Sequence, residues 1–264
     1  NISANKSLGQ NFLINDSVVD KIVESAEITK EDLVIEIGPG LGNLTEFLLE
    51  KAGKVIAIEL DERMLEILND RFSLYDNFEI INEDVLKVDL NKLIKTNKNE
   101  QIKNAKIVAN LPYYITTPII EKIISSNINP DILVFMVQKE VGDRFSANEG
   151  SRDYGSISVF LNYYYDVKKE FLVSRNEFVP VPNVDSVVVS FSKKENKTKV
   201  NNKDVFHKLV RDSFKFKRKT IRNNLNNYDL KTIEDVLVSN GFSLSSRAEQ
   251  LPVEVFVEMS NRIS

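Results

Sequence analysis

The chain has 264 residues, 42% of them hydrophobic and 28% charged, which excludes wholesale disorder and suits one large domain or a large and a small one. It contains no cysteine and a single histidine, His207. Disulfide scaffolds, thiolate metal sites and cysteine nucleophiles are thereby excluded, and histidine metal centres and Ser-His-Asp triads are disfavoured. The formal charge of −4 is unevenly spread: Lys193 to Lys231 holds 13 Lys and Arg against 4 Asp and Glu, and the rest holds 22 against 35. Such a basic segment in an acidic chain suits a localised polyanion contact or a solvated linker.

The longest strongly apolar run, Ile132–Val137, falls far short of the roughly 20 residues of a membrane helix. No signal-peptide pattern is visible. The expectation is a soluble cytoplasmic protein, monomeric, with no metal and no membrane contact.

Seven short apolar or β-branched runs predict strands: Leu33–Ile37, Val55–Leu60, Phe78–Asn82, Lys106–Asn110, Asp131–Gln138, Asp166–Val173 and Ser186–Phe191. Helical spacing lies between most of them. Leu44, Phe47 and Leu48 make one apolar face, and Met64, Leu65, Leu68 and Phe72 another. A third face is Ile119, Ile120, Ile123 and Ile124 behind Pro118, which suits a first helical turn. Alternation at this spacing predicts an α/β fold, a mostly parallel sheet covered by helices on both faces. The last two strands, separated by about a dozen residues with two prolines, read as an antiparallel pair.

After Phe191 the texture changes. Residues 193–202 are polar and read as a linker, followed by helical spacing at Val205, Phe206, Leu209, Val210 and Phe214, and again at Ile233, Val236 and Leu237. Residues 246–264 predict one more short helix. The expected division is therefore 1–192, an α/β domain, and 193–264, a small all-helical one.

Val34–Gly42 (VIEIGPGLG) reads as a strand, a glycine-rich turn and a helix start. Gly38, Gly40 and Gly42 let the backbone turn sharply and approach a ligand closely. A dinucleotide fingerprint would need glycine at position 43, where Asn43 stands. The second strand ends in Glu59, placed to meet ribose hydroxyls, and Asp84 follows the third strand, placed to accept from an adenine amino group. Three successive strands each delivering a polar residue at the carboxyl end favour an adenosine-containing cofactor, with NAD still possible.

Asn110-Leu111-Pro112-Tyr113 closes the fourth strand. The Asn110 side-chain oxygen and the Leu111 carbonyl offer two acceptors for the two hydrogens of a planar amine. Pro112 stiffens the turn, and Tyr113 gives a base a face to stack on. The arrangement suits an exocyclic amine whose lone pair must be freed for attack on a sulfonium methyl.

The sequence closely resembles the ribosomal RNA adenine dimethyltransferases, specifically their small-subunit branch, over essentially its whole length. Residues 110–118 (NLPYYITTP) match the family's catalytic loop and 7–13 (SLGQNFL) its N-terminal signature. Similar signatures lie at 138–155, 178–186 (FVPVPNVDS), 218–225 (RKTIRNNL) and 247–251 (RAEQL). The resemblance implies a Rossmann-like, S-adenosylmethionine-dependent methyltransferase fold, a seven-stranded sheet with an antiparallel last strand, plus the all-α C-terminal domain. It implies cofactor contacts from Asn11, Leu13, Gly38, Gly40, Glu59, Asp84, the Val85 backbone and Asn110. It places Tyr113 on one face of a flipped adenine and Phe178 on the other.

By the same resemblance the product is N6,N6-dimethyladenosine at two adjacent adenosines in the 3′-terminal hairpin loop of small-subunit (16S) rRNA, within a pre-ribosomal subunit. Lys208, Arg211, Lys215, Lys219 and Arg222 recur at three- and four-residue steps and, with Arg218, are candidates for phosphate contact. The alternatives are a large-subunit resistance methylase, which shares the NLPY loop, an assembly factor with methylation secondary, and an NAD-dependent oxidoreductase.

Overall fold

In the computed structural model, residues 11–111, 114–126, 128 and 130–264 are described. Along them run β1 (Phe12–Leu13), α1 (Asp16–Ser25), β2 (Asp32–Ile37), α2 (Asn43–Lys51), β3 (Lys54–Glu59), α3 (Glu62–Arg71), β4 (Phe78–Asn82), α4 (Leu90–Asn97) and β5 (Asn104–Asn110). Next come α5 (Thr116–Ser125), β6 (Ile132–Gln138), α6 (Lys139–Phe145), α7 (Ser156–Tyr164), β7 (Tyr165–Val173), β8 (Phe178–Val179) and β9 (Ser186–Lys193). The chain ends with α8 (Lys203–Ser213), α9 (Ile221–Asn224), α10 (Leu230–Ser239) and α11 (Val253–Arg262).

All seven predicted strands form one sheet, in the order β4-β3-β2-β5-β6-β9-β7. Its first five strands pair in parallel, and β9 runs antiparallel to β6. The chain goes outward from β2 to β3 and β4 on one side and to β5 and β6 on the other. That reversal opens a crevice at the carboxyl ends of β2, β3 and β5. β2 and β3 are buried almost throughout, as a sheet covered on both faces requires, and Leu33, Ile35, Leu48 and Phe135 are wholly enclosed. Each such side chain contributes about 1.5–3 kcal/mol. Acidic or amide side chains start the helices: Asn15, Asp61 and Asp89 accept hydrogen bonds from the backbone N–H of Ser17, Arg63 and Lys92.

Two short strands had no visible pattern in the sequence. β1 pairs antiparallel with β8, Phe12 opposite Val179 and Leu13 opposite Phe178. Two residues are too few to display alternation, and the partners lie far apart in the chain.

The chain divides into two compact units, residues 1–142 with 168–193, and residues 143–167 with 194–264. The second differs from the expected 193–264 in gaining residues 143–167. Aromatic packing explains it, since Phe160 of α7 meets Phe206 of α8 at 6.0 Å and Tyr163 meets Phe206 at 5.0 Å. In the same unit the sole histidine, His207, lies 3.0 Å from the Tyr164 hydroxyl, and burial lowers its pKa. Among the described residues no helix is long and apolar enough to cross a membrane, and no three acidic or imidazole side chains are placed to hold a metal ion.

Candidate active site

β2 ends in the glycine turn, and the turn ends in α2. Gly38 adopts φ +66° with nothing within 4 Å of where a Cβ would stand, and Gly42 adopts φ +85° with the Phe72 ring 2.6 Å from that point. At both positions an L side chain would be strained, and at Gly42 it would also collide. The Gly38 N–H donates to the Ile58 carbonyl at 3.0 Å, which binds the turn to β3.

β3 delivers Glu59, only 7% exposed. The Gly40 N–H donates to its Oε2 at 3.2 Å and the Asp61 N–H to its Oε1 at 2.8 Å. Backbone donors at Gly40, Asp61 and Leu60 together fix the carboxylate at the mouth of the turn. Burial raises the Glu59 pKa, while those N–H groups pull it down. Beyond β4, the Leu86 N–H donates to Asp84 Oδ1 at 2.9 Å, which holds that loop. β5 ends at Asn110, and the next residue, Leu111, is 2% exposed and donates its N–H to the Met136 carbonyl.

The β1–β8 pair brings two distant signatures to this crevice. The Ile14 N–H donates to the Glu177 carbonyl at 3.0 Å, and the Asn15 side chain donates to the Glu177 carboxylate at 2.7 Å. Asn43 Nδ2 donates to the Leu13 carbonyl at 2.9 Å. The residue that stands where a dinucleotide fingerprint would have glycine therefore ties β1 to the head of α2.

One cavity is lined by Asn11, Leu13, Gly38, Gly40, Glu59, Asp84, Val85, Asn110, Leu111 and Phe178. Every sequence-derived cofactor residue borders it, and Phe178 reaches it while only 3% exposed. Pro112 and Tyr113 lie outside the described residues. The lining also includes residues that sequence reasoning did not assign: Glu36, Leu60, Glu83, Tyr114, Phe12, Met136 and Ser186. Phe12, Leu60 and Glu83 adjoin assigned residues and were findable by adjacency, and Ser186 ends the 178–186 signature; Met136, inside a buried strand, carries no local signal.

Four carboxyl side chains line the cavity, Glu36, Glu59, Glu83 and Asp84, and among the described residues no Lys, Arg or His does. Glu36 is buried and accepts from Thr45 Oγ1 at 2.7 Å. Burial, reinforced by the neighbouring Glu59, pushes its pKa up to about 8. With Glu36 mostly protonated at neutral pH, the remaining carboxylates still give the described lining a negative field that favours a cation.

A family model for ribosomal RNA adenine dimethylase matches residues 1–264. The chain belongs to this family. Members use S-adenosylmethionine to methylate adenine in ribosomal RNA. Among similar proteins, the "Ribosomal RNA small subunit methyltransferase A" of Bacillus pumilus is 46% identical, covering 98% of this chain and 91% of its own. The protein of that name from Clostridium acetobutylicum is 43% identical over 100% and 95%. Among solved structures, a dimethyladenosine transferase from Plasmodium falciparum superposes with a TM-score of 0.76 at 30% identity, covering 94% of this chain and 95% of that one.

The basic residues of this family member do not form the helical stripe that their spacing suggests. α8 stops at Ser213, so Lys215, Arg218 and Lys219 lie in the turns before α9, and Arg222 lies in α9. The Asn224 side chain captures the Ser213 carbonyl at 2.7 Å, and Phe214 packs against Tyr154 and Phe256. Lys208 is engaged within the unit: it pairs with Asp212 at 2.9 Å and donates to the Tyr228 hydroxyl at 3.1 Å. Residues 215–219 are all exposed.

Proposed function

We propose that this dimethylase binds S-adenosylmethionine in the acidic cavity and converts two adjacent adenosines in the 3′-terminal hairpin loop of small-subunit rRNA to N6,N6-dimethyladenosine during ribosome assembly. It would act as a cytoplasmic monomer on a pre-ribosomal subunit. The observation that carries the reading is the convergence of Glu59, Asp84 and Asn110 on one cavity rich in carboxylates.

The cofactor fits what the residues offer. The open space beside Gly38, the backbone-fixed carboxylate of Glu59 and the absence of Lys, Arg and His from the described lining suit a nucleoside bearing a positive sulfonium. Asn43, where a dinucleotide fingerprint would have its third glycine, counts against NAD. When bound, S-adenosylmethionine supplies the methyl group on an excellent leaving group. Glu59 would hold the ribose hydroxyls, Asp84 and the Val85 N–H the adenine, and Asn11 and Leu13 would close over the nucleoside from β1.

Asn110 Oδ1 and the Leu111 carbonyl would accept the two hydrogens of the target amine. Holding both favours a pyramidal nitrogen whose lone pair is free to attack, so positioning and amine polarisation do most of the work. After one transfer the amine keeps a single hydrogen, and one acceptor must tolerate losing its partner. The adenine has to leave its stack to reach this depth, which favours an unpaired loop. Tyr113 and Phe178 would sandwich it.

The small-subunit branch is favoured because relatives at 43–46% identity carry that name. The decisive experiment incubates the protein with radiolabelled S-adenosylmethionine and under-methylated small subunits, then digests the RNA. Labelled N6,N6-dimethyladenosine from the 3′ hairpin is the expected result. Label in large-subunit RNA would transfer the protein to the resistance branch, and binding without transfer would make it an assembly factor.

A further inference from the structure

Phe216 is 56% exposed and is the one exposed aromatic side chain among the described residues of the second unit. A lone exposed apolar residue means little by itself. Its company is what matters: Lys215, Lys217, Arg218, Lys219 and Arg222 surround it within eight residues, with no acidic residue among them. The Lys215 ammonium stands 5.6 Å from the ring centroid.

The segment is also held in place. Phe214 turns inward, its ring 5.7 Å from Phe256 and 6.0 Å from Tyr154, so Phe216 two residues on turns out. The Phe216 carbonyl accepts from the Lys219 N–H at 2.9 Å and from the Asn224 side chain at 3.3 Å. Two donors on one carbonyl fix the peptide that carries the ring.

We propose that Phe216 is a stacking platform for an unpaired RNA base, set among cations that hold the flanking phosphates. The inference rests on the expected phosphate contacts of Lys215, Arg218, Lys219 and Arg222 and adds to them a base contact by a residue that does not line the methylation cavity. A planar apolar face ringed by cations is what single-stranded nucleic acid requires: the ring takes the base and the lysines take the charge. A membrane surface would ask for an apolar helix face, and an acidic protein would not need the ring.

The two contributions separate by their response to salt. Stacking is insensitive to salt, whereas each lost phosphate contact lowers the slope of log affinity against log salt by about 0.7 for a single strand. Binding of the full chain to a fluorescein-labelled 12-nucleotide oligoadenylate is measured by anisotropy at several salt concentrations. Phe216→Ala is expected to weaken binding about 5- to 100-fold with the slope unchanged. Phe216→Trp should retain affinity, and an abasic chain of equal length should bind both proteins alike. Lys217→Ala should reduce the slope instead.

Affinity within two-fold for Phe216→Ala overturns the stacking role, as does an equal loss on the abasic chain. Unchanged oligonucleotide binding with weakened binding to intact small subunits overturns it too, and makes the ring a protein contact. Failure of the underlying reading looks different: Lys217→Ala and Arg218→Ala would then leave the slope of the parent protein untouched. Because the ring is exposed, the melting temperature should not move.

Discussion

At the scale of single residues, the site turns on what each carboxylate or amide can accept. Replacing Asn110 with Ala removes one of the two acceptors proposed for the target amine. Turnover is expected to fall about 10²- to 10³-fold, by analogy with loss of one charge-stabilising group, while S-adenosylhomocysteine affinity by calorimetry stays close to that of the parent. Glu36 offers a test by pH. A glutamate in the unfolded chain titrates near 4.5, whereas burial raises Glu36 to about 8 in the folded protein. Across that window the folded chain keeps a proton that the unfolded chain has released, so this group's contribution to stability falls as pH rises. Glu36→Gln cannot ionise. Its melting temperature should track the parent's near pH 4.5 and then exceed it by a gap that widens up to about pH 8.

At the scale of elements, the foot of the sheet carries its own polar device. Asp32 at the start of β2 is wholly buried and pairs with Lys106 of β5 at 2.9 Å; Lys106 itself is 6% exposed and also donates to the Glu27 carbonyl. Burial alone would raise the Asp32 pKa, but hydrogen bonds from Lys106, Thr29 and Asn104 hold it below the usual range. Lys106→Ala leaves the carboxylate buried without its cation. It should cost about 3–5 kcal/mol, read as a lowered urea midpoint, whereas replacing both partners by apolar residues should cost much less.

The same scale shows what a sequence can and cannot reveal. Strands two to six, and the polar residues at their carboxyl ends, were legible because a run of buried apolar residues stops where the chain must turn toward a ligand. The β1–β8 pair was not, since its information lies in Asn43, Glu177 and a register between distant segments. The C-terminal basic stripe misled for a related reason. Three- and four-residue spacing persists past Ser213, but the helix ends there because Asn224, eleven residues on, takes the last turn's carbonyl.

At the scale of the molecule, charge is partitioned between the two units. The first carries 19 Lys and Arg against 26 Asp and Glu, the second 16 against 13. The acidic cavity suits a cation, and RNA phosphates are anions, so on the proposed reading the cofactor and the RNA backbone are held by opposite fields. Their responses to salt should therefore differ. If the five cations between Lys215 and Arg222 each neutralise one phosphate, single-stranded RNA affinity should fall roughly 100-fold between 50 and 200 mM salt. On the proposed reading S-adenosylhomocysteine would sit in a partly enclosed cavity, where screening is weak, and its affinity should change by less than about two-fold. Both are read from parallel titrations of the same protein, RNA by anisotropy and cofactor product by calorimetry. Equal salt dependence for the two ligands would place the RNA's electrostatic anchor elsewhere than the basic turn.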